Sequence, residues 1–152
     1  MITWSDDVAL PEFVGVDHVG LAVADLDAAI AFHTGMLGLE LLHREDNSDQ
    51  GVAEAMLGPG DAGPGGTQIQ LVAPLTPSSV LVRFLDRSGS GLHHLAYRVR
   101  DVDRASLALR ERGLRLLYQT ARPGTRGSRI NFVHPRDAGG VLLELVEPLE
   151  SG

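Results

Sequence analysis

Two histidines, His18 and His94, stand in near-identical surroundings. The runs are Val16-Asp17-His18-Val19-Gly20-Leu21-Ala22-Val23 and Leu92-His93-His94-Leu95-Ala96-Tyr97-Arg98-Val99. Each leads into an acidic helix opening, Asp25-Leu26-Asp27 in one case and Asp101-Val102-Asp103 in the other. A second pair, Gln70 and Glu144, holds matched places in residues 65–74 and 139–148, two runs that both open on Gly-Gly and end on Pro. Two imidazoles, an amide oxygen and a carboxylate form an N/O donor set suited to a divalent ion, with positions left for water or substrate. Co2+, Mn2+, Ni2+, Zn2+ and Fe2+ all accept such donors. Cysteine is absent from the chain, so thiolate ligation and disulfides are excluded.

Each candidate has a competing assignment. A lone His18 would read as a hydrogen-bonded structural histidine, but its partner His94 turns the reading toward a ligand. Glu144 lies among Leu142, Leu143, Leu145 and Val146. A carboxylate in so apolar a strand is costly unless paired or ligated; the alternative is a strand position facing solvent. By strand alternation His93 points away from His94, which gives it a structural or supporting role. His33, on a helix, and His43, at a strand end, read as exposed residues, and His134-Pro135 borders the proposed cleft. Glu54 sits between Val52 and Met56 on their face of a strand, with no counterpart in the ligand set. Burial there would raise its pKa toward neutrality and suit it to proton transfer.

These residues must be positioned by two copies of one unit. Val14 to Val23 reads as a strand, Asp25 as a helix N-cap, and Gly38 as the helix stop. Strands follow at Leu39–Arg44, Gln50–Leu57 and Thr67–Ala73, the last two separated by a Gly/Pro-rich loop over 58–66. Ser78 or Ser79 caps a short linking helix. The second copy runs from the histidine strand through a helix over Asp103–Arg112, ended by Gly113. Strands are expected at Leu114–Tyr118, Ser128–Val133 and Val141–Val146, with a turn-rich loop over Arg122–Gly127. The fold class is therefore α+β: two tandem βαβββ modules related by a pseudo-twofold axis, forming a curved mixed sheet around a metal-binding cleft. The organisation is an N-terminal arm (1–13), a first module (14–76), a linking helix (77–91) and a second module (92–152), all in one structural domain.

Composition narrows the function classes. The net charge of −7 disfavours nucleic acid as a partner. No apolar run reaches the ~18 residues of a membrane span, and the first residues lack the features of a signal peptide; the expected location is cytoplasmic. All 13 basic residues are Arg, which excludes a lysine Schiff base or a lysine general base. The group Arg122, Arg126, Arg129 and Arg136 suits an anionic small ligand, since guanidinium pairs well with phosphate.

With these residues in view, the chain resembles the vicinal oxygen chelate superfamily and, within it, the methylmalonyl-CoA epimerases. The likeness runs from about Val16 to Pro148. It is carried by Asp17-His18-Val19, Gln50-Gly51-Val52-Ala53-Glu54, Gln68-Ile69-Gln70, Gly91-Leu92-His93-His94, Gly127 to Pro135 and Gly140 to Leu145. The resemblance implies metal ligation by His18, Gln70, His94 and Glu144, with Co2+ as the first choice of ion. It implies an acid/base pair of Glu54 and Glu144 that interconverts (R)- and (S)-methylmalonyl-CoA through a metal-stabilised enolate, in a homodimer. Arg122, Arg126, Arg129 and His134 are the candidate contacts to the acyl-CoA substrate. The chain departs from the family in Phe32-His33, in the 58–66 loop and in its extra N-terminal arm. Rival readings are a glyoxalase I-like isomerase, an iron-dependent ring-cleaving dioxygenase and a metal-free small-molecule binding protein on the same fold.

Overall fold

The computed structural model describes residues 10–60 and 66–149. Most of the expected N-terminal arm and the middle of the 58–66 loop lie outside those residues. The chain divides into two compact units, Asp17–His94 and a second made of Met1–Val16 with Leu95–Gly152. Strands β1 (Phe13–Ala22) and β5 (Gly91–Val99) each contribute to both.

In the Asp17–His94 unit, β1 is followed by α1 (Leu26–Gly35), β2 (Glu40–Asn47), β3 (Val52–Gly58), β4 (Gln68–Pro74) and α2 (Val80–Ser88). The strand order is β2-β3-β4-β1, with β1 parallel to β4 and the other neighbours antiparallel. Asp25 caps α1 by accepting a 3.0 Å hydrogen bond from the Ala28 amide, which satisfies a donor that the first helical turn leaves unpaired. Gly38, at φ 71°, takes the left-handed turn that releases the chain into β2. One sheet face is apolar: Ala55, Leu57, Leu71 and Ala73 pack with Leu26 and Ile30 of α1. Burying Leu57 or Leu71 completely, as here, contributes roughly 2–3 kcal/mol each. At one end of the opposite face Leu81 and Phe84 of α2 pack on Ala22, Val52 and Val72; further along, that face carries Glu54, Met56 and Gln70.

The second unit repeats this plan. After β5 come α3 (Val102–Glu111), β6 (Arg122–Pro123), β7 (Arg129–Val133) and β8 (Leu143–Glu147), in the order β5-β8-β7-β6 with β5 parallel to β8. Asp101 caps α3 through the Asp103 and Arg104 amides, and Glu147 accepts from the Val102 amide at 3.0 Å. Val99, Val102, Ala105, Leu109, Val133 and Leu145 form the core on the α3 face. Phe13 of the same unit stacks on Tyr97 at 4.7 Å.

One expected element is corrected. Leu114–Tyr118 is not a strand; it makes a single bridge, Leu116 to Val133, and the short β6 forms instead at Arg122–Pro123, inside the expected loop. The cause is Asn131, whose side-chain oxygen accepts from the Tyr118 amide at 3.1 Å while its amide donates to the Tyr118 carbonyl at 3.0 Å. A side chain thus takes the place of a neighbouring backbone and interrupts the ladder.

Candidate functional site

Strand register assembles the polar cluster of the Asp17–His94 unit. Gly20 on β1 pairs with Gln70 on β4, Gln70 pairs with Met56 on β3, and Glu54 lies two residues before Met56 on the same face. His18, Glu54, Gln70 and His94 are 3%, 4%, 4% and 7% exposed, so none of them is a solvated surface residue. Nε2 of His18 lies 3.1 Å from Nε2 of His94, and that nitrogen lies 2.9 Å from Oε1 of Gln70. The Gln70 amide in turn donates to Oε2 of Glu54 at 2.9 Å. Asp17 accepts from Nδ1 of His18 at 2.7 Å.

These separations suit a divalent ion. Two ligands about 2.1 Å from a metal and at right angles to each other lie about 3 Å apart. Nε2 of His18, Nε2 of His94 and Oε1 of Gln70 show that spacing, and each has a lone pair to offer. Asp17 accepts only, so it holds the proton of His18 on Nδ1 and turns the Nε2 lone pair inward. Glu54 likewise fixes which end of the Gln70 amide faces the histidines.

Gly20 was not legible as part of this arrangement, and the supporting residue His93 was placed differently. A side-chain Cβ added at Gly20 would lie 2.0 Å from Cε1 of His94, so the mid-strand glycine is the space into which the His94 ring fits. A glycine inside an otherwise regular strand is the available signal for such close approach. His93 was expected to face away from His94; its Nδ1 lies 2.8 Å from Nδ1 of His94 instead. His33 and His43, expected at the surface, are half-buried. His33 donates from Nδ1 to the Ala29 carbonyl, and His43 pairs with Glu45, the register partner of Glu54.

Glu144 lies in the other unit, on β8, in register with Ala96 of β5 and Phe132 of β7. At 6% exposure it is not the solvent-facing strand carboxylate of the competing assignment. Its neighbours Ala96, Ile130, Phe132 and Val146 form the apolar face turned away from α3.

The expected substrate contacts are dispersed in that unit. Arg129 pairs with Asp103 at 2.8 Å and with Glu147 at 3.6 Å; its pKa is raised, chiefly by the hydrogen bond to Asp103. The Arg122 guanidinium lies 4.6 Å over the Tyr118 ring, and Arg126 occupies a single turn at φ 58°. His134 caps the next turn by accepting from the Arg136 amide. A cleft of about 730 Å3 is lined by Arg98, Arg100, Arg129 and Glu147, with Val14 and Leu149. Arg115 binds Asp137 through both guanidinium and backbone, and those hydrogen bonds hold the Asp137 carboxyl down at about 2.

Residues 17–132 match the glyoxalase/bleomycin resistance protein/dioxygenase superfamily. The chain is 52% identical to a methylmalonyl-CoA epimerase of Mycobacterium tuberculosis of known structure; the match covers 97% of this chain and 94% of that one, with a TM-score of 0.84. It is 41% identical to a variant of the Streptomyces coelicolor methylmalonyl-CoA epimerase solved with 2-nitronate-propionyl-CoA, covering 91% and 100% of the two chains at a TM-score of 0.86. An ethylmalonyl-CoA/methylmalonyl-CoA epimerase of Cereibacter sphaeroides is 35% identical over 86% of this chain and 95% of its own.

Proposed function

The chain belongs to the glyoxalase/bleomycin resistance protein/dioxygenase superfamily, and from that premise we propose that it is a divalent-metal-dependent epimerase of methylmalonyl-CoA. The observation that carries this reading is the buried convergence of His18, His94 and Gln70 beside a buried Glu54. Similarity to three epimerases of CoA esters supports it.

In this reading His18, Gln70, His94 and Glu144 hold the ion, with Co2+ preferred and Mn2+, Ni2+ or Zn2+ as substitutes. Support for Glu144 comes from β5. Ala96, the register partner of Glu144, follows His94 by two residues and so shares its side of the strand. A bound divalent ion supplies positive charge against the oxygen atoms of the substrate and makes the intervening C–H acidic. Glu54 accepts the C2 proton on one face, with the amide of Gln70 on its Oε2 fixing the carboxylate. The electron pair moves onto the thioester oxygen to give an enolate. On the opposite face C2 takes a proton from a water molecule held by Glu144, the proton on Glu54 neutralises the hydroxide left behind, and the configuration inverts. Low solvent access at both carboxylates keeps competing protons away.

Arg122, Arg126, Arg129 and His134 are the proposed contacts to the phosphates of CoA. Of these, Arg129 contributes least, since Asp103 and Glu147 already share its charge. A cytoplasmic homodimer that binds neither nucleic acid nor membrane completes the proposal; no helix among the described residues is long and apolar enough to cross a bilayer.

The test is activity against metal content. Protein stripped by chelator and refilled with Co2+ is expected to epimerise one epimer of methylmalonyl-CoA, and the stripped form to be inactive. Failure of every divalent ion to restore epimerisation, with turnover of a glutathione hemithioacetal instead, would move the assignment to a glyoxalase-type isomerase.

A further inference from the structure

The sheet face of the Asp17–His94 unit that carries Glu54 and Gln70 is not polar throughout. Met56 stands on it at 4% exposure. Its register partners are His43 on β2 and Gln70 on β4. Glu54 lies two residues back on the same face, about 7 Å along the strand. Met56 therefore sits at the corner between the proposed base and a proposed ligand. It belongs to neither apolar cluster of this unit.

A second apolar side chain extends this position. Gly58 follows Met56 by two residues and shares its face. A Cβ on Gly58 would meet Cδ1 of Leu42 at 3.3 Å and Cγ of Gln68 at 3.7 Å, so the Leu42 side chain lies over Gly58. The register of β2 shifts between Leu41 and His43, and such a bulge re-aims the extra residue, here Leu42. Met56 and Leu42 together line one side of the polar row with apolar surface. In the other direction along β3 that face is already closed, because Val52 packs with Val72 and with Leu81 of α2.

In the epimerase reading, C2 of the substrate carries the proton, two carbonyl-bearing groups and one alkyl group. The proton goes to Glu54 and the carbonyl oxygens to the ion. The alkyl group has no polar partner and is stabilised by apolar contact. We propose that Met56 is the specificity-determining contact for the alkyl substituent on C2, with Leu42 as the wall beyond it. The unbranched thioether chain of methionine bends to close on a small group. Shortening it opens the face toward Leu42 and Gly58, where a longer substituent fits. The ligands this face takes are 2-alkylmalonyl thioesters, sorted by the size of the alkyl group.

The role of Met56 rests on the epimerase reading, and a ratio of rates separates the two. Co2+-loaded wild type and variants are assayed for kcat/KM on methylmalonyl-CoA and on ethylmalonyl-CoA, which is one methylene longer. Loss of folded protein or of metal lowers both rates alike and leaves their ratio unchanged. Met56→Ala is expected to raise the ethyl-to-methyl ratio about 10-fold or more, the range for one methylene in an apolar pocket. Met56→Val removes less volume and is expected to move the ratio in the same direction; it carries the test where the Ala protein does not fold. Met56→Leu conserves volume and is expected to stay within about threefold of wild type. Val52→Ala truncates the same strand face on the far side of Glu54 and is expected to stay within about twofold. A ratio unchanged by truncation of Met56, or moved as far by Val52→Ala, overturns the assignment of Met56 while the wild-type rates uphold the epimerase reading. Wild type that turns over neither ester overturns both.

Discussion

The two modules share a plan and differ in chemistry at three matched positions. On the site-bearing face of the first, β1 offers His18 and then Gly20; on β5 the matched residues are His94 and then Ala96. Gln70 on β4 matches Glu144 on β8. Glu54, the register partner of Val72, matches Ile130, the register partner of Val146. Both modules therefore supply a histidine and one further oxygen donor, but only the first supplies a separate buried carboxylate. Ile130 instead packs with Ala96, Phe132 and Val146. The repeat accounts for the proposed ligands, and its departures account for the proposed acid/base groups and for the room for the His94 ring.

Substitutions at the matched pairs test this asymmetry. The largest effect is expected at Gly20. Gly20→Ala puts a Cβ in the volume of the His94 ring, and dialysis should find Zn2+ binding lost together with activity. At the matched position Ala96→Gly should bind normally and cost only about 1 kcal/mol in denaturant unfolding. Next comes Glu54→Gln, which removes the proposed base while leaving His18 and His94 in place; kcat should fall about 10²- to 10⁴-fold with Zn2+ affinity changed much less. Its counterpart Ile130→Val should retain activity and lose roughly 0.5–1.5 kcal/mol of stability. The smallest effect lies outside the site. The Asp137 carboxyl, held at about 2 against an ordinary 3.8, favours the fold above the ordinary value, and that contribution fades as pH falls toward about 2. Asp137→Asn should therefore narrow the difference in stability between pH 5 and pH 2, read from urea midpoints.

Much of the fold was legible in the sequence because the repeat gives nearly every element a second witness. Asp25 and Asp101 cap matched helices, and His18, Gln70, His94 and Glu144 fall where the matched strands require them. The strand expected at Leu114–Tyr118 failed for the same reason the others succeeded. Gly113-Leu114-Arg115-Leu116-Leu117 copies Gly38-Leu39-Glu40-Leu41-Leu42, yet the side chain of Asn131 takes over the backbone pairing. Gly20 escaped notice because its role is a gap, and the contact of His93 with His94 was not legible because it depends on a rotamer. Period-2 alternation reports the face of a side chain but not where its ring nitrogen ends up.

The most direct test of the acid/base asymmetry is solvent deuterium incorporation at C2 of a single methylmalonyl-CoA epimer, followed by NMR with Co2+-loaded wild type and Glu54→Gln. Wild type should incorporate deuterium as it epimerises. Glu54→Gln should epimerise at least about 100-fold more slowly, with any residual exchange confined to the face served by Glu144. Equal epimerisation by the two proteins would contradict the assignment of Glu54 as the base that distinguishes one module from the other.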